Sequence, residues 1–293
     1  MTREELLRKI NTFPLAAEEL ARDMLAGDFR SVFRGEGIEF DEVRRYEQGD
    51  DIRAIDRNVS ARYGTPYIKL YREERELTVF VVLDSSASMF VSSEPLSCTT
   101  RIDQAVLAAA LIAFSAERAG QRFGALLFDK HTHTVFRPKR GRGHVMAFAD
   151  LALRLKPAER GTDLGGALVS AARLLKRRSI VVIVSDFLSV GWERPLGAIS
   201  QKHDCIACRV NDPLDASFPN LGLVTIEDPE TGASVFANTA SDSFKNAWME
   251  NRAEHTAICA AAFRKYNISQ IELPVNSDVV RVIKGFFRSR KRG

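Results

Sequence analysis

The sequence predicts an α/β fold in which a mostly parallel β-sheet carries helices on both faces. Residues 77–83 and 179–184 are bounded apolar runs with the length and composition of strands buried on both faces of a sheet. Between such runs, apolar residues recur at helical spacing, most clearly over 102–116 and 164–175. This alternation of buried strands and helices is typical of βαβ units, and it predicts parallel neighbouring strands.

Before the α/β domain, residues 1–75 are predicted to form an N-terminal extension that packs on it. Two helical patterns open the extension, one before and one after the Phe13-Pro14 interruption. Residues 30–75 interleave acidic and basic side chains with isolated apolar residues, and no helical or strand period lasts. We therefore predict a loop system there, whose charges either satisfy one another or form a docking surface.

Residues 76–293 are predicted to form the α/β domain itself. The predicted strands are 77–83, 125–128, 134–136 at an edge, 179–184, 205–210 and 269–273, and the predicted helices are 102–116, 142–155, 164–175, 195–200, 241–266 and a short one over 279–286. Runs 223–227 and 234–237 flank the turn residues Pro229-Glu-Thr-Gly232. That pattern predicts a β-hairpin inserted into the alternating fold.

The composition excludes several classes of protein. Hydrophobic residues make up 45% and charged residues 27%, as in an ordinary globular protein, and the net charge of +4 is too small to indicate nucleic-acid binding. The basic stretches 137–142 and 288–292 lack interleaved aromatic residues, so stacking on nucleic-acid bases is unsupported. We interpret the second stretch as a solvated, frayed end, with electrostatic contact to an acidic partner or phosphates as the alternative.

Targeting and redox features are also weak. No apolar run approaches the ~18–20 residues that span a bilayer, and the N-terminus lacks an apolar signal core, so we expect a cytoplasmic protein. Cys205 and Cys208 have the spacing of a metal knuckle, but residues three apart on a strand face opposite sides, and no second pair completes a zinc site. Buried free thiols are the better interpretation.

Polar side chains follow the two most apolar predicted strands, at the point where each strand ends. Asp84-x-Ser86-x-Ser88 comes directly after the first, and Asp186 follows the second, while Thr162 precedes the helix that leads into it. Ligands of open α/β sheets bind at the carboxyl ends of the strands. Carboxylate and hydroxyl oxygens are hard donors that suit Mg²⁺ or Mn²⁺, so the sequence predicts a divalent-cation site if these strands are neighbours.

This pattern resembles the metal-ion-dependent adhesion site (MIDAS) of von Willebrand factor type A (vWA) domains, whose sheet is Rossmann-like. That family carries Asp-x-Ser-x-Ser, a Thr from a later loop and an Asp after the fourth strand, which here match Asp84, Ser86, Ser88, Thr162 and Asp186. The resemblance implies Mg²⁺ bound directly by the hydroxyls, with the two carboxylates bound directly or through water. It also implies one coordination position that is open to a carboxylate from a partner.

A second resemblance covers nearly the whole chain, to the bacterial family known as domain of unknown function fifty-eight. The residues that carry it are Gly35-x-Gly37-x-Glu39-Phe40, Arg45-Tyr46-x-x-Gly49-Asp50-Asp51-x-Arg53-x-Ile55-Asp56, Ser60-Ala61-Arg62, Thr162-Asp163-Leu164 and Ser185-Asp186-Phe187-Leu188. The family typically has Trp where this chain has Arg57, which removes any stacking role at that point. The resemblance implies a vWA-like domain and a MoxR-type AAA+ ATPase, or its client, as the protein partner.

Two functions follow from these observations. The first is a non-enzymatic interaction module, an adaptor or co-chaperone that binds a partner through a divalent cation. The second is an Mg²⁺-dependent phosphoryl-transfer enzyme with Asp84 as nucleophile, although Ser86 replaces the second acid of the strand-end Asp-x-Asp of haloacid-dehalogenase-like enzymes. The first is favoured because the sequence contains no phosphate-binding Gly-x-x-x-x-Gly-Lys-Ser/Thr loop, no Gly-x-Ser-x-Gly elbow and no His-Glu-x-x-His motif.

Overall fold

A computed structural model describes residues 3–26, 38–47, 50–52, 55–73, 77–91, 99–157 and 160–292. The chain forms two compact units, one of Met1–Phe29 together with Leu77–Gly293, and the other of Arg30–Glu76. The two N-terminal helices thus belong to the same unit as the α/β domain. The domain division predicted at residues 75 and 76 stays a prediction.

In the α/β part the helices and strands follow the predicted order, except that the sequence analysis missed a short helix over Pro213–Ala216. The strands are β1 (Ile38–Arg45), β2 (Tyr67–Glu73), β3 (Thr78–Asp84), β4 (Arg122–Phe128), β5 (Thr132–Lys139), β6 (Ile180–Ser185), β7 (Asp204–Asn211), β8 (Leu223–Glu227), β9 (Ser234–Asn238) and β10 (Ser269–Pro274). The helices are α1 (Arg3–Asn11), α2 (Phe13–Ala26), α3 (Arg57–Tyr63), α4 (Arg101–Arg118), α5 (Arg142–Ala152), α6 (Leu164–Leu174), α7 (Glu193–Ser200), α8 (Pro213–Ala216), α9 (Asp242–Lys265) and α10 (Val279–Arg292).

Six strands form the central sheet in the order β10-β7-β6-β3-β4-β5. All neighbours are parallel except the edge strand β5, which is antiparallel to β4. The chain builds outward from β3 in one direction through β4 and β5, and then returns to add β6 on the other side of β3. The gap between β3 and β6 is therefore the topological switch point, where open α/β sheets bind ligands.

Helices cover both faces of this sheet, so the predicted fold class is confirmed. On one face, α4 is rich in alanine and is buried from Arg101 to Ala116, because α1, α2 and α10 cover its outer side. On the other face, α6 and α7 pack with the sheet around an aromatic group of Phe187, Trp192 and Phe263. The central strands β3 and β6 are buried along their length, as their continuous apolar sequence predicts.

The Arg30–Glu76 unit contains regular structure where the sequence predicted only loops, so that prediction is wrong. Strands β1 and β2 pair antiparallel, and α3 begins at Asp56, whose side chain accepts hydrogen bonds from the backbone N–H groups of Asn58 and Val59. A bulge between Phe40 and Glu42 shifts the register of β1. It breaks the period-two alternation on which the recognition of a strand depends.

One charge pair in this unit is satisfied internally, as one of the two interpretations predicted. The Arg44 guanidinium donates two hydrogen bonds to the Asp50 carboxylate, at 2.9 and 2.6 Å. This pairing holds the pKa of Asp50 below its usual value. The Gly35, Gly37 and Gly49 positions of the family signature lie outside the described residues.

The basic C-terminal stretch is helical, so its interpretation as a frayed end is wrong. Helix α10 runs to Arg292 and buries Val279, Ile283 and Phe287. Its basic side chains pair with acidic residues of the same unit: Lys284 with Glu19, Arg288 with Asp23 and Arg290 with Asp204. The helix continues through the basic stretch because its apolar face is buried and its basic side chains form ion pairs.

Three smaller predictions concern the hairpin, the thiols and membrane spans. Strands β8 and β9 form the predicted antiparallel hairpin. Cys205 and Cys208 are buried free thiols, and burial raises the pKa of each to about 12. Within the described ranges, none of the helices is both long and apolar enough to cross a bilayer.

Candidate metal centre

Asp84 ends β3 and is fully buried at the switch point. One of its carboxylate oxygens accepts a hydrogen bond from the backbone N–H of Ser86 at 2.9 Å, and the other accepts one from the Ser185 hydroxyl at 2.5 Å. Ser86 then begins a 3₁₀ turn over Ala87–Phe90, which places the Ser86 and Ser88 hydroxyl oxygens 3.2 Å apart. The Asp-x-Ser-x-Ser spacing therefore folds into a tight turn with both hydroxyls on one side.

Asp186 follows β6 in a turn with unusual backbone geometry. The next residue, Phe187, has a φ of 60°, a left-handed conformation that costs a bulky residue ~1–3 kcal/mol. Three contacts hold it there: its N–H donates to the Ser185 hydroxyl, its carbonyl accepts from His255 Nε2, and its ring packs against Trp192. Strain held in this way at a strand end is common at functional sites.

The two carboxylate oxygens of Asp186 differ in their hydrogen bonding. Its Oδ1 accepts a hydrogen bond from the N–H of Leu188 at 3.0 Å, whereas its Oδ2 is buried without a hydrogen-bond partner among the described residues. Leaving a buried carboxylate oxygen unsatisfied is costly unless a cation faces it. This atom is the strongest local indication that the residues here fit a bound cation.

The electrostatics of Asp84 agree with this indication. Burial, and then the neighbouring Asp186 carboxylate, raise the pKa of Asp84 to about 7, although hydrogen bonds from Ser185 and Ser86 act in the opposite direction. Two carboxylates in one buried site repel each other when both are ionised. A divalent cation between them would reverse that penalty.

Arg101 supplies a nearby positive charge that the sequence reasoning missed. Its buried guanidinium donates to the Ser88 carbonyl at 3.3 Å and pairs with Asp215 at 2.8 Å. Burial disfavours its charge, but Asp215 and then Asp186 outweigh that effect and raise the pKa of Arg101. Its hydrogen bonds go to Ser88 and Asp215, so Asp186 Oδ2 stays unsatisfied.

Thr162 joins the site through a residue that the sequence reasoning also missed. The Glu230 carboxylate, from the turn of the β8–β9 hairpin, accepts from the Thr162 hydroxyl at 2.7 Å and from the backbone N–H of Gly161 at 3.1 Å. Its other oxygen accepts from the backbone N–H of Ser88 at 2.8 Å. Glu230 thus bridges the Thr162 loop and the Ser88 turn.

The structure therefore brings the five predicted residues together at the carboxyl ends of the central strands. Ser86 contacts both Asp84 and Ser88, Glu230 links Ser88 to Thr162, and Asp84 contacts Ser185 next to Asp186. Their assignment as metal ligands stays a prediction. No sequence signal pointed to Glu230, because the pattern Pro229-Glu-Thr-Gly232 identifies a turn and not the place where the turn docks.

The donor set fits a hard cation such as Mg²⁺ or Mn²⁺, because all of its side-chain donors are oxygens. Within the described ranges, no group of three or more His, Cys, Asp and Glu side chains lies close enough to hold a metal ion. A cation here would thus depend on hydroxyl oxygens in addition to Asp84 and Asp186. Hydroxyl ligands are neutral, so such a cation keeps a strong attraction for one more anionic ligand.

The sheet order defines an open, mostly parallel α/β domain with polar side chains at its strand ends. Residues 42–258 match the family described as "Protein of unknown function DUF58". The chain belongs to this family, which confirms the resemblance noted in the sequence.

Two similar proteins are each described as an uncharacterised protein. Proteins from Mycobacterium tuberculosis strain H37Rv and from Mycobacterium bovis are each 32% identical to it over 292 residues, covering 99% of this chain and 91% of each relative.

Similar solved structures include an aerotolerance-related membrane protein from Bacteroides fragilis, with a TM-score of 0.49 and 16% identity, covering 74% of this chain and 100% of that one. The VWA domain of SpRpn10 aligns with a TM-score of 0.38 and 9% identity, covering 73% of this chain and 95% of that one.

Proposed function

We propose that the protein is a non-enzymatic interaction module that binds Mg²⁺ or Mn²⁺ through Asp84, Ser86, Ser88, Thr162 and Asp186. The observation that carries this proposal is the buried Asp186 Oδ2, which has no hydrogen-bond partner in the described part of the chain and lies at the switch point of the sheet. The raised pKa of Asp84 supports it, because a buried pair of acids needs a counter-charge. The proposed partner is a MoxR-type AAA+ ATPase or its client, as the family resemblance implies.

In this proposal each residue of the site has a separate role. Asp84 and Asp186 supply the negative charge, while Ser185 and the backbone of Ser86 orient Asp84 through the hydrogen bonds described above. The hydroxyls of Ser86, Ser88 and Thr162 supply neutral ligands. When bound, the cation is an electrophile that attracts a carboxylate from the partner.

Among the described residues, no contact favours Asp84 as a phosphoryl-transfer nucleophile. Its side chain has no exposed surface, and both carboxylate oxygens accept hydrogen bonds, from Ser86 and Ser185. A nucleophile has to reach the reacting phosphorus in line with the leaving group.

Calorimetric titration with Mg²⁺ and Mn²⁺ tests the metal site. Asp186→Asn is expected to weaken binding by about tenfold or more, because it removes the charge of a buried ligand. The matched control is Asp204→Asn. Asp204 is the first residue of β7, at the amino ends of the parallel strands, and it pairs with Arg290. Equal affinity in the wild type and Asp186→Asn, or the absence of binding to either, contradicts the proposed site.

The partner is tested with the purified MoxR-type ATPase from the same genome. We expect complex formation in Mg²⁺ and its loss in EDTA or with Asp186→Asn, whereas Asp204→Asn still binds. Binding that is indifferent to the metal and to Asp186 contradicts a metal-bridged complex.

A further inference from the structure

The Glu230 carboxylate lies on the predicted cation site although it belongs to a distant part of the sequence. It accepts three hydrogen bonds, from Ser88 N at 2.8 Å, Gly161 N at 3.1 Å and Thr162 Oγ1 at 2.7 Å. Two of these donors belong to residues of the predicted ligand set. Three donors fix the position of this carboxylate, and one of them is the Thr162 hydroxyl that the metal would use.

The turn around Glu230 is organised to present this side chain. The Asp228 carboxylate accepts from the Glu230 N–H at 2.9 Å and from the Thr231 hydroxyl at 2.6 Å, and these contacts help to lower the pKa of Asp228. Gly232 closes the turn with a φ of 72°, which favours glycine. The shape of the turn therefore rests on its own hydrogen bonds.

The hairpin itself is only lightly attached to the rest of its unit. Strands β8 and β9 pair with each other in a two-stranded sheet, apart from the six-stranded one. Leu223, Val235 and Phe236 of the hairpin are 66%, 63% and 69% exposed, whereas Val224, Ile226 and Ala237 are half-buried. Besides Glu230, the turn is tethered by an exposed ion pair between Arg160 and Glu227, and such pairs contribute little. No apolar residue of β8 or β9 is fully buried, so movement of the hairpin would uncover no core side chain and would expose only these half-buried ones further.

We infer that Glu230 is an internal ligand of the cation site, and that a partner engages the site by displacing it with an Asp or Glu side chain of its own. This inference rests on the proposed function. A tethered carboxylate competes at a high effective concentration, so a free carboxylate does not displace it easily. Only a partner with further contacts, or a movement of the hairpin, then opens the site.

The test uses Mn²⁺ as the metal and ¹³C-labelled acetate as the carboxylate probe, with the full chain. Mn²⁺ binding is first measured by water-proton relaxation, and the Mn²⁺-dependent broadening of the acetate signal is then titrated. Glu230→Ala is expected to bind acetate about tenfold or more tightly than the wild type, because the competing internal ligand is gone. Glu227→Ala is the matched control, since Glu227 lies in the same hairpin and contacts Arg160.

The outcomes separate this inference from the proposed function. Mn²⁺ binding by all three proteins, with acetate bound tightly by Glu230→Ala alone, supports the internal ligand. Mn²⁺ binding with the same acetate affinity in all three overturns the internal ligand and leaves the metal site standing. No Mn²⁺ binding by any of them overturns both. Glu230 is half-buried on a turn, and an unchanged thermal midpoint in the variant shows that it is folded.

Discussion

Replacing Asp84 by Asn should stabilise the metal-free protein at alkaline pH, although Asp84 is buried and hydrogen-bonded. Asn keeps an oxygen that accepts from the N–H of Ser86, and the Ser185 hydroxyl can rotate to accept from the new amide. The substitution therefore removes the charge while keeping the shape and the hydrogen bonds. What changes is the cost of ionising a carboxyl that is buried beside Asp186.

The sign and size of the change in unfolding free energy with pH follow from the pKa of Asp84. Its folded-state value of about 7 lies above the ordinary 3.8, so the folded state binds the proton more tightly. The stabilisation from this proton is complete below the ordinary value, and it is lost as the pH rises through about 7. Between about pH 5 and pH 8 the wild type should lose about 3 kcal/mol of unfolding free energy from this group, and Asp84→Asn should lose none of it.

Urea denaturation in EDTA at these two pH values measures the effect. Other titrating groups are common to both proteins, so the difference between wild type and Asp84→Asn reports the ionisation of Asp84 together with its interaction with Asp186. Asp204→Asn, at the amino end of β7, serves as the control. A difference between wild type and Asp84→Asn that is the same at both pH values refutes the reasoning. Saturating Mg²⁺ should reverse the order, because it stabilises only the form that binds it.

Two further predictions concern packing and charge. Gly124→Ala should lower the unfolding free energy by ~1–3 kcal/mol in urea, because its methyl group would lie 2.9 Å from both Phe136 O and Phe80 Cδ2. Gly143→Ala, in helix α5 with nothing within 4 Å of the new methyl group, should instead raise it by ~0.5–1 kcal/mol, and equal effects would contradict the packing argument. Arg101→Met should lower it by about 3 kcal/mol, since it removes a buried positive charge beside Asp215 and Asp186 and leaves Asp215 only the longer ion pair with Arg252, at 3.6 Å. The exposed Arg118→Met should change it by less than ~0.5 kcal/mol, and a similarly small effect at Arg101 would refute the role of its charge.

Local patterns were sufficient to predict the α/β fold class and the polar turns at the ends of β3 and β6. A strand buried on both faces needs a continuous apolar run, and a covered helix needs apolar residues at its own period, so both appear in the sequence. Asp84, Ser86 and Ser88 are close in sequence, and a single turn brings them together. The strand order could not be predicted from these patterns, because pairing partners are set by contacts between distant segments.

Secondary structure was missed where the apolar spacing along the chain is interrupted. Contacts of a turn with distant residues were missed because a local pattern does not specify them. The bulge after Phe40 broke the alternation of β1 and hid a strand. The charges of α10 hid its basic last turns, so that the helix was predicted too short, although ion pairs and three buried apolar residues hold it in place. The pattern around Glu230 predicted a turn correctly. It could not predict which distant residues the turn contacts, because the packing of the whole chain sets those contacts.

The sequence by itself determined which elements form and which oxygen-bearing side chains follow them, because those properties depend on residues close along the chain. Only the tertiary structure decided that β3 and β6 are neighbours, that Asp186 Oδ2 is buried without a hydrogen-bond partner among the described residues, and that the Glu230 carboxylate reaches Ser88 and Thr162. These contacts join segments that are up to 142 residues apart, and their geometry is set by packing over the whole unit.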